Sequence, residues 1–364
     1  MAENDTAGRS TEGMVDYNAN SLVQKQHAMG NHERIADLAG RVSHLPAPLN
    51  FTDFGCGPGQ STIETARPAL TTWQAVDVAK PISICFADQP GNDWDALMAL
   101  INSETGLLGG DPPPRIETAV GSFYDRMLDD NSVSLATCFF ASHWLSVSRP
   151  YDAPDTVWFA DLTGEARREM WRAAEADWTR FLQMRAQEIR SGGYLFVSTL
   201  GAVPEAGEIN DTAASGRGVY RALQIVTKSM VDEGLLDRKR AESFVFGLWF
   251  MTEAEARRPF ETNPDLQDAY EIDIIAVLPV DGGGDLFAGH LDDPAEYARQ
   301  YAGYTRAFAA SSLRKQLFEP TLGAGKDTKW LEDEFFRQFE ELYREKTTAY
   351  ALEQWHLSVV LKRN

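Results

Sequence analysis

The sequence predicts an α/β protein: helices flanking a mostly parallel sheet, with a mainly helical cap above it. Three observations carry this expectation. Short apolar runs bounded by Gly, Pro or Asp alternate with stretches of helical periodicity as far as residue 201. Beyond that point the chain changes to aromatic-rich helical stretches. Two further strand-like runs then appear far apart near the C-terminus, so helical segments lie between strands of one sheet.

The strand-like runs are LNFTDFG (49–55), ISICFAD (82–88), VSLATCFFA (133–141) and GGYLFVSTLG (192–201), followed by AYEIDIIAVLPV (269–280) and WHLSVVLKR (355–363). Each is short and dominated by apolar residues, as buried strands are. Helices are expected over 21–42, over 92–103 and over the long 164–190. The second follows the Pro90–Gly91 turn, with Asn92 or Asp93 as its N-cap. Residues 216–240, 252–260, 293–318 and 331–350 read as helices of the cap. The first twelve residues are polar, without an apolar core, and read as a loose tail rather than a signal peptide.

The chain has 364 residues, 43% of them hydrophobic, enough for one large core or one domain with a substantial cap. Its net charge of −20 argues against nucleic acid and against an anionic membrane, since both reward Lys and Arg. No run of apolar residues is long enough to span a bilayer. Cys56, Cys85 and Cys138 lie in apolar runs without metal-ligand spacing. They read as buried reduced thiols of a cytoplasmic protein, and no metal site is expected.

The most informative stretch is FTDFGCGPGQ (51–60), a strand followed by three glycines in five positions. Such a turn lets a ligand approach the backbone closely, because no Cβ intervenes. The dinucleotide fingerprint G-x-G-x-x-G/A fits poorly. The third glycine comes one place early, Gln60 stands where Gly or Ala belongs, and Pro58 lacks the N–H a pyrophosphate would seek. Asp53, just before the turn, suits instead a cofactor carrying an amine and a sulfonium. The residues therefore favour S-adenosyl-L-methionine over NAD, with a purely structural turn as the remaining reading. A second acid at the end of the next strand would hold ribose hydroxyls, and both Asp88 and Asp77 are candidates.

Six stretches together carry a resemblance. DYNANSLVQKQ (16–26), DFGCGPGQST (53–62), ADQPGNDWDAL (87–97), VGSFYDRML (120–128), FFASHWLSVSRP (139–150) and FLQMRAQEIRSGGYLFVSTLG (181–201) occur in that order. They resemble the SABATH family of S-adenosylmethionine-dependent methyltransferases, which includes carboxyl methyltransferases of salicylate, benzoate, jasmonate and indole-acetate and the caffeine-pathway N-methyltransferases. The likeness is strong over residues 13–201 and continues more weakly through FGLWFMTEAEA (246–256) to the end.

The resemblance implies a Rossmann-like methyltransferase sheet. Residues 1–12 form the tail, 13–205 the cofactor half and 206–268 a helical cap segment. Residues 269–284 return to the core as a strand, 285–350 form a second cap segment, and 351–364 supply the last strand. It further implies roles for single residues. Tyr17 and Ser21 flank the methionine end of the cofactor, with Asp53 and Gly55 beneath it. The DQPGND segment favours Asp88 over Asp77 as the ribose ligand and brings Gln89 beside it; Ser122 and Phe123 meet the adenine. Gln24 and Trp144 are the implied donors to a substrate carboxylate. Phe140, His143, Trp249 and Trp355 are the implied pocket walls. Taken singly, each is an ordinary core or surface residue; their joint occurrence at matched positions gives them weight.

Departures from the family pattern are visible. The glycine-rich lead-in is reduced to STEGMVDY, Gly57–Pro58 stands where many members carry a serine pair, and Phe140 replaces a tyrosine four residues before the tryptophan. These suggest a microbial member. The implied reaction is in-line methyl transfer to a small aromatic or apolar carboxylic acid, by an enzyme expected to be a homodimer. A carboxylic acid, with a pKa of roughly 4, is already an anion at neutral pH. It needs no general base, which accounts for the lack of any catalytic triad or carboxylate pair. The alternatives are an N-methyltransferase of a heterocycle, a cofactor-binding protein without turnover, and an NAD-dependent dehydrogenase.

Overall fold

The computed structural model describes residues 30–103, 112–204, 212–279, 285–323 and 325–364. The chain begins with helix α1 (His32–Val42), strand β1 (Leu49–Phe54), helix α2 (Gln60–Val76), β2 (Ile82–Asp88), α3 (Trp94–Ile101), β3 (Arg115–Val120) and β4 (Val133–Phe139). The long α4 (Gly164–Glu188) leads into β5 (Ile189–Leu200), and a small hairpin, β6 (Ala202–Pro204) and β7 (Thr212–Ala214), follows.

Seven strands make the main sheet, in the order β3-β2-β1-β4-β5-β9-β8. The first five are parallel. The last two are β8 (Tyr270–Pro279) and β9 (Trp355–Arg363), with β9 antiparallel to both its neighbours. The two late strand-like runs thus complete one edge of the sheet, as the sequence predicts. Alternating side chains serve two faces, which is why the central strands read as unbroken apolar runs. Phe51, Ile84, Phe86 and Phe196 pack toward α1, α2 and α3, while Phe54, Cys85, Ala87 and Val197 pack toward α4 and the cap.

Helix α2 and strand β3 are among the elements that escape the sequence reading. Helix α2 contains Pro68 and several threonines, which obscure its period. It persists because Ile63, Ala66, Leu70 and Trp73 form one buried stripe, and the Trp73 indole N–H donates to the Ala39 carbonyl at 2.9 Å. Strand β3 lies at the sheet edge, with polar Arg115, Glu117 and Thr118 among its residues and only Ala119 buried, so it lacks the apolar signature. The 92–103 helix starts at Trp94 with Asp93 as its cap, accepting from the Ala96 N–H at 2.9 Å. Of the expected 21–42 helix, residues 21–29 lie outside the described residues.

The cap comprises α5 (Arg217–Asp232), α6 (Arg238–Ala241), α7 (Glu253–Thr262), α8 (Pro264–Ala269), α9 (Pro294–Leu313), a π-turn (Arg314–Phe318), α10 (Glu319–Leu322) and α11 (Lys329–Glu345). Helices α9 and α11 are joined by aromatic contacts, with Tyr301 stacked on Tyr343 at 4.5 Å between ring centres. Cys56, Cys85 and Cys138 are buried free thiols. Among the described residues, no helix is long and apolar enough to cross a membrane.

Candidate active site

Strand β1 has β2 on one side and β4 on the other, so the chain connections leave its carboxyl end in opposite directions. Crevices at such switch points are where open α/β sheets bind ligands. Here the crevice is bordered by the glycine turn after β1, the acid ending β2, and the segment after β4.

Gly55, Gly57 and Gly59 all have positive φ, at 84°, 53° and 92°. For Gly55 the reason is also steric: a Cβ there would stand 2.3 Å from the Ala141 Cβ. The turn after β1 and the segment after β4 therefore meet backbone to side chain at this point. The turn is clamped from β2. Asp88 accepts from the Gly57 N–H at 2.7 Å and from the Gln89 N–H at 2.7 Å, and the Asn92 amide donates to the Gly57 carbonyl at 2.8 Å. Burial pushes the Asp88 carboxyl up. Asp77 lies at the C-cap of α2, before β2, where it accepts from the Ala79 N–H at 3.0 Å. Asp88, not Asp77, stands at the carboxyl edge of the sheet.

Asp53 sits beneath the turn, almost wholly buried. It accepts from the Thr137 hydroxyl at 2.6 Å and from the Thr62 hydroxyl. Burial pushes its carboxyl up to about 6, although the two hydroxyls pull the other way and Asp88 adds to the rise. Two acids around a turn that lacks one N–H at Pro58 suit a ligand with positive charge and hydroxyls. The same pair would repel a pyrophosphate. The residues present therefore fit S-adenosylmethionine.

The segment after β3 completes this side. The Gly121 N–H donates to the Asp88 carbonyl at 2.9 Å, and the Ser122 hydroxyl accepts from the Tyr124 N–H at 3.3 Å. The Phe123 ring packs on Tyr124 and Phe181, near Gly55. A fully buried ion pair holds the segment. Arg185 donates to the carbonyls of Phe123 (2.7 Å) and Asp125 (3.1 Å). Its partner Glu188, 2.6 Å away, accepts from the Met127 and Leu128 N–H groups.

The segment after β4 opens the other side. Phe140 has φ of 52°, rare for a bulky residue and commonest at functional sites. Its N–H donates to the Ser198 carbonyl at 2.9 Å. His143 and Trp144 follow in a turn gripped from two directions. The Tyr124 hydroxyl donates to the Trp144 carbonyl at 2.5 Å, and the Trp249 N–H donates to the His143 carbonyl at 2.8 Å. The imidazole shares a 2.7 Å hydrogen bond with the Thr199 hydroxyl. Burial pushes it down to about 3, so it is neutral at physiological pH.

Phe140, His143 and Trp144 line one cavity between sheet and cap. Leu200, Ser215, Gly216, Val219 and Tyr220 continue its wall, and Tyr304, Phe308 and Leu352 close it. No Lys, Arg, Asp or Glu is among these residues. Trp249 and Trp355 are not among them either. The Trp249 ring packs on Phe159 and donates to Glu255 at 3.2 Å, and only its backbone reaches the site. Trp355 begins β9, with its N–H donating to the Ser215 hydroxyl at 2.8 Å. Tyr17, Ser21 and Gln24 lie outside the described residues.

The cap side of this cavity has no local signature in the sequence. Tyr304 and Phe308 belong to an aromatic-rich stretch, but nothing in it marks which rings face inward. Tyr124, which fixes Trp144, and the threonines that partner Asp53 are likewise settled by tertiary contacts.

The model for the SAM dependent carboxyl methyltransferases matches residues 4–364. Indole-3-acetate O-methyltransferase 1 of Arabidopsis thaliana is 24% identical over 340 residues, 85% of this chain and 84% of that protein. Anthranilate O-methyltransferase 3 of Zea mays is 26% identical over 276 residues, 68% of this chain and 70% of its own. A structure of loganic acid methyltransferase with SAH superposes with a TM-score of 0.76 at 20% identity, covering 97% of this chain and 98% of that one, and shares the fold. The glycine turn, the acids around it and a match along nearly the whole chain lead to one conclusion: this protein belongs to the family of S-adenosylmethionine-dependent carboxyl methyltransferases.

Proposed function

We propose that the protein converts a small aromatic or apolar carboxylic acid to its methyl ester, with Gln24 and Trp144 holding the carboxylate. The observation that carries this is the placement of Trp144 at the switch point, in a cavity whose described walls hold no charged side chain. The Trp144 indole N–H is a neutral donor of the kind that suits a carboxylate oxygen. Relatives named for indole-3-acetate and anthranilate support an aromatic acid.

S-adenosylmethionine, when bound, supplies the electrophilic methyl group. Tyr17, Ser21, Asp53, Gly55, Asp88, Gln89, Ser122 and Phe123 would hold it, with Asp88 toward its hydroxyls and Asp53 beneath. The work left to the chain is orientation: placing the acid at near-attack distance and excluding water. Neutral donors suit this task, because a Lys or Arg would pair with the anion and weaken its attack. Neutral His143 adds polarity without charge, and Phe140 forms the wall between the two sides. Trp249 acts through its backbone bond to His143, and Trp355 through its anchorage of Ser215. On this reading residues 13–205, 269–284 and 351–364 form the catalytic core, and 206–268 with 285–350 form its cap. The protein works as a homodimer in the cytoplasm, a placement that its reduced thiols support.

The test is Trp144→Phe, which keeps the aromatic packing and removes the donor. A hydrogen bond to a charged group contributes about 1.5–3 kcal/mol. The kcat/KM for the acid should therefore fall by roughly 10- to 100-fold at an unchanged melting temperature. Wild-type turnover in the folded variant would show that Trp144 does not hold the carboxylate.

A further inference from the structure

Three consecutive residues, Ser122, Phe123 and Tyr124, face two ways. Ser122 and Phe123 border the cofactor crevice, where the Phe123 ring stands 3.8 Å from the place a Cβ on Gly55 would take. The Tyr124 ring packs on Phe123, with 4.7 Å between centres, and its hydroxyl turns to the substrate side. There it lies 2.5 Å from the Trp144 carbonyl and 3.2 Å from the Ser142 carbonyl, the two that flank His143. Tyr124 is buried, and burial pushes its phenol well above the usual range, so it stays a neutral donor.

Both ends of this link are anchored. On the cofactor side the carbonyls of Phe123, Tyr124 and Asp125 accept from Arg185 (2.7 Å), Arg180 (2.8 Å) and Arg185 again (3.1 Å), all on α4. On the substrate side Asp177, also on α4, accepts from the Ser146 N–H and hydroxyl, each at 2.7 Å, just past Trp144. The turn between is gripped as well. The Trp144 N–H donates to the Ala141 carbonyl at 3.1 Å, the Trp249 N–H to the His143 carbonyl at 2.8 Å, and the Leu145 N–H to the Gly247 carbonyl at 2.8 Å. Those grips come from the turn itself and from the cap. The grip of Tyr124 runs directly from the residues that border the cofactor.

We propose that Tyr124 is a positioning residue for methyl transfer: its hydroxyl sets the distance between the Trp144 donor and the cofactor-bordering residues Ser122 and Phe123. It touches neither substrate nor cofactor and acts through the peptide that carries the Trp144 indole. This rests on the reading above, in which Trp144 holds the carboxylate, and adds what fixes that donor relative to the methyl group. In-line attack depends steeply on such placement, and a misplacement of about 1 Å can cost roughly a hundredfold in rate. Without the hydroxyl the indole still donates to the bound acid, so ground-state affinity is largely kept. What is lost is the alignment needed in the transition state.

The experiment is a double-variant cycle with an acid that the wild type esterifies, scored by base-labile methyl ester. Calorimetric binding of S-adenosylhomocysteine and of the acid is measured alongside. Tyr124→Phe keeps the ring and removes the hydroxyl. It should lower kcat at least about tenfold, with both affinities within about threefold of wild type and the melting temperature down by a few degrees. In a Trp144→Phe background the same change should lower kcat by about threefold or less, because the donor it positions is gone. An equal fall in both backgrounds would overturn the proposal, as would wild-type kcat in Tyr124→Phe or a loss of cofactor affinity as large as the loss of rate. Arg180→Met, at a largely exposed side chain, frees the Tyr124 carbonyl and leaves the hydroxyl in place. It should give a smaller fall in kcat, again absent with Trp144→Phe, and it carries the cycle should Tyr124→Phe not fold; an equal fall in both backgrounds would overturn the proposal here too. A slowed Trp144→Phe with additive partners would sink this proposal alone. Trp144→Phe at the wild-type rate would sink the carboxylate reading, and this proposal with it.

Discussion

At the scale of single residues, two positions carry the sharpest expectations. Gly55 joins the cofactor side to the substrate side. Replacing it with Ala imposes a left-handed backbone, costing about 1–2 kcal/mol. It also pushes Ala141 aside, for a further cost of about 1–3 kcal/mol. The melting temperature of Gly55→Ala should fall by several degrees, and Ala141→Gly in the same chain should restore part of it. No recovery in the double variant would mean that the 2.3 Å approach is not the cause. His143 makes stability depend on pH. Its ordinary pKa of 6.5 is pushed down to about 3, so the unfolded chain takes up a proton that the native one refuses. Its contribution is intact above pH 6.5 and is lost as pH falls toward 3. Asp53 acts oppositely: raised from 3.8 to about 6, it favours the native state at low pH and loses that advantage as pH rises through 6. Melting temperatures of His143→Gln between pH 7 and 5 should therefore decline less than those of the wild type. A decline as steep as the wild type would rule out a buried neutral imidazole. Only part of this was legible in the sequence. Asp53 and Gly55 stand in a recognisable pattern, but the threonines of Asp53 and the Ala141 contact arise from β1 and β4 lying side by side.

At the scale of elements, the end of α4 serves the cofactor side at a distance. Arg185 and Glu188 are fully buried, and their hydrogen bonds hold residues 123–128 in place. Removing one partner of a buried pair costs about 3–5 kcal/mol, because the other charge is left uncompensated. Arg185→Met should lower the melting temperature markedly and weaken S-adenosylmethionine binding in a titration. The double change Arg185→Met with Glu188→Gln should be no less stable than the single one. A double variant that loses the sum of both single losses would show that the two side chains act independently. Elements differ in how openly the sequence announces them. The central strands are legible because both faces are buried, and α4 because of its length. Helix α2 hides behind Pro68 and its threonines, and β3 behind its exposed edge. The cap helices can be located from their period, whereas the inward direction of Tyr304 and Phe308 depends on how α9 packs against α11.

At the scale of the whole molecule, a net charge of −20 surrounds a cavity that must admit an anion. The overall field opposes entry, and salt screens it over roughly 8 Å at physiological ionic strength. Raising salt from about 0.01 to 0.15 M should therefore increase kcat/KM for the acid, with the larger effect on association. A decrease would place an attractive local charge at the entrance. The same fold binds a cofactor across its switch point, so S-adenosylmethionine should stabilise it by about 2.7 kcal/mol at a hundred times its Kd. The most direct test of the central claim uses methyl-labelled S-adenosylmethionine with a panel of aromatic and aliphatic acids, followed by mild base. The account predicts label in an extractable product that base releases as methanol. Label that survives base would place the methyl group on nitrogen or a phenol oxygen and contradict the account.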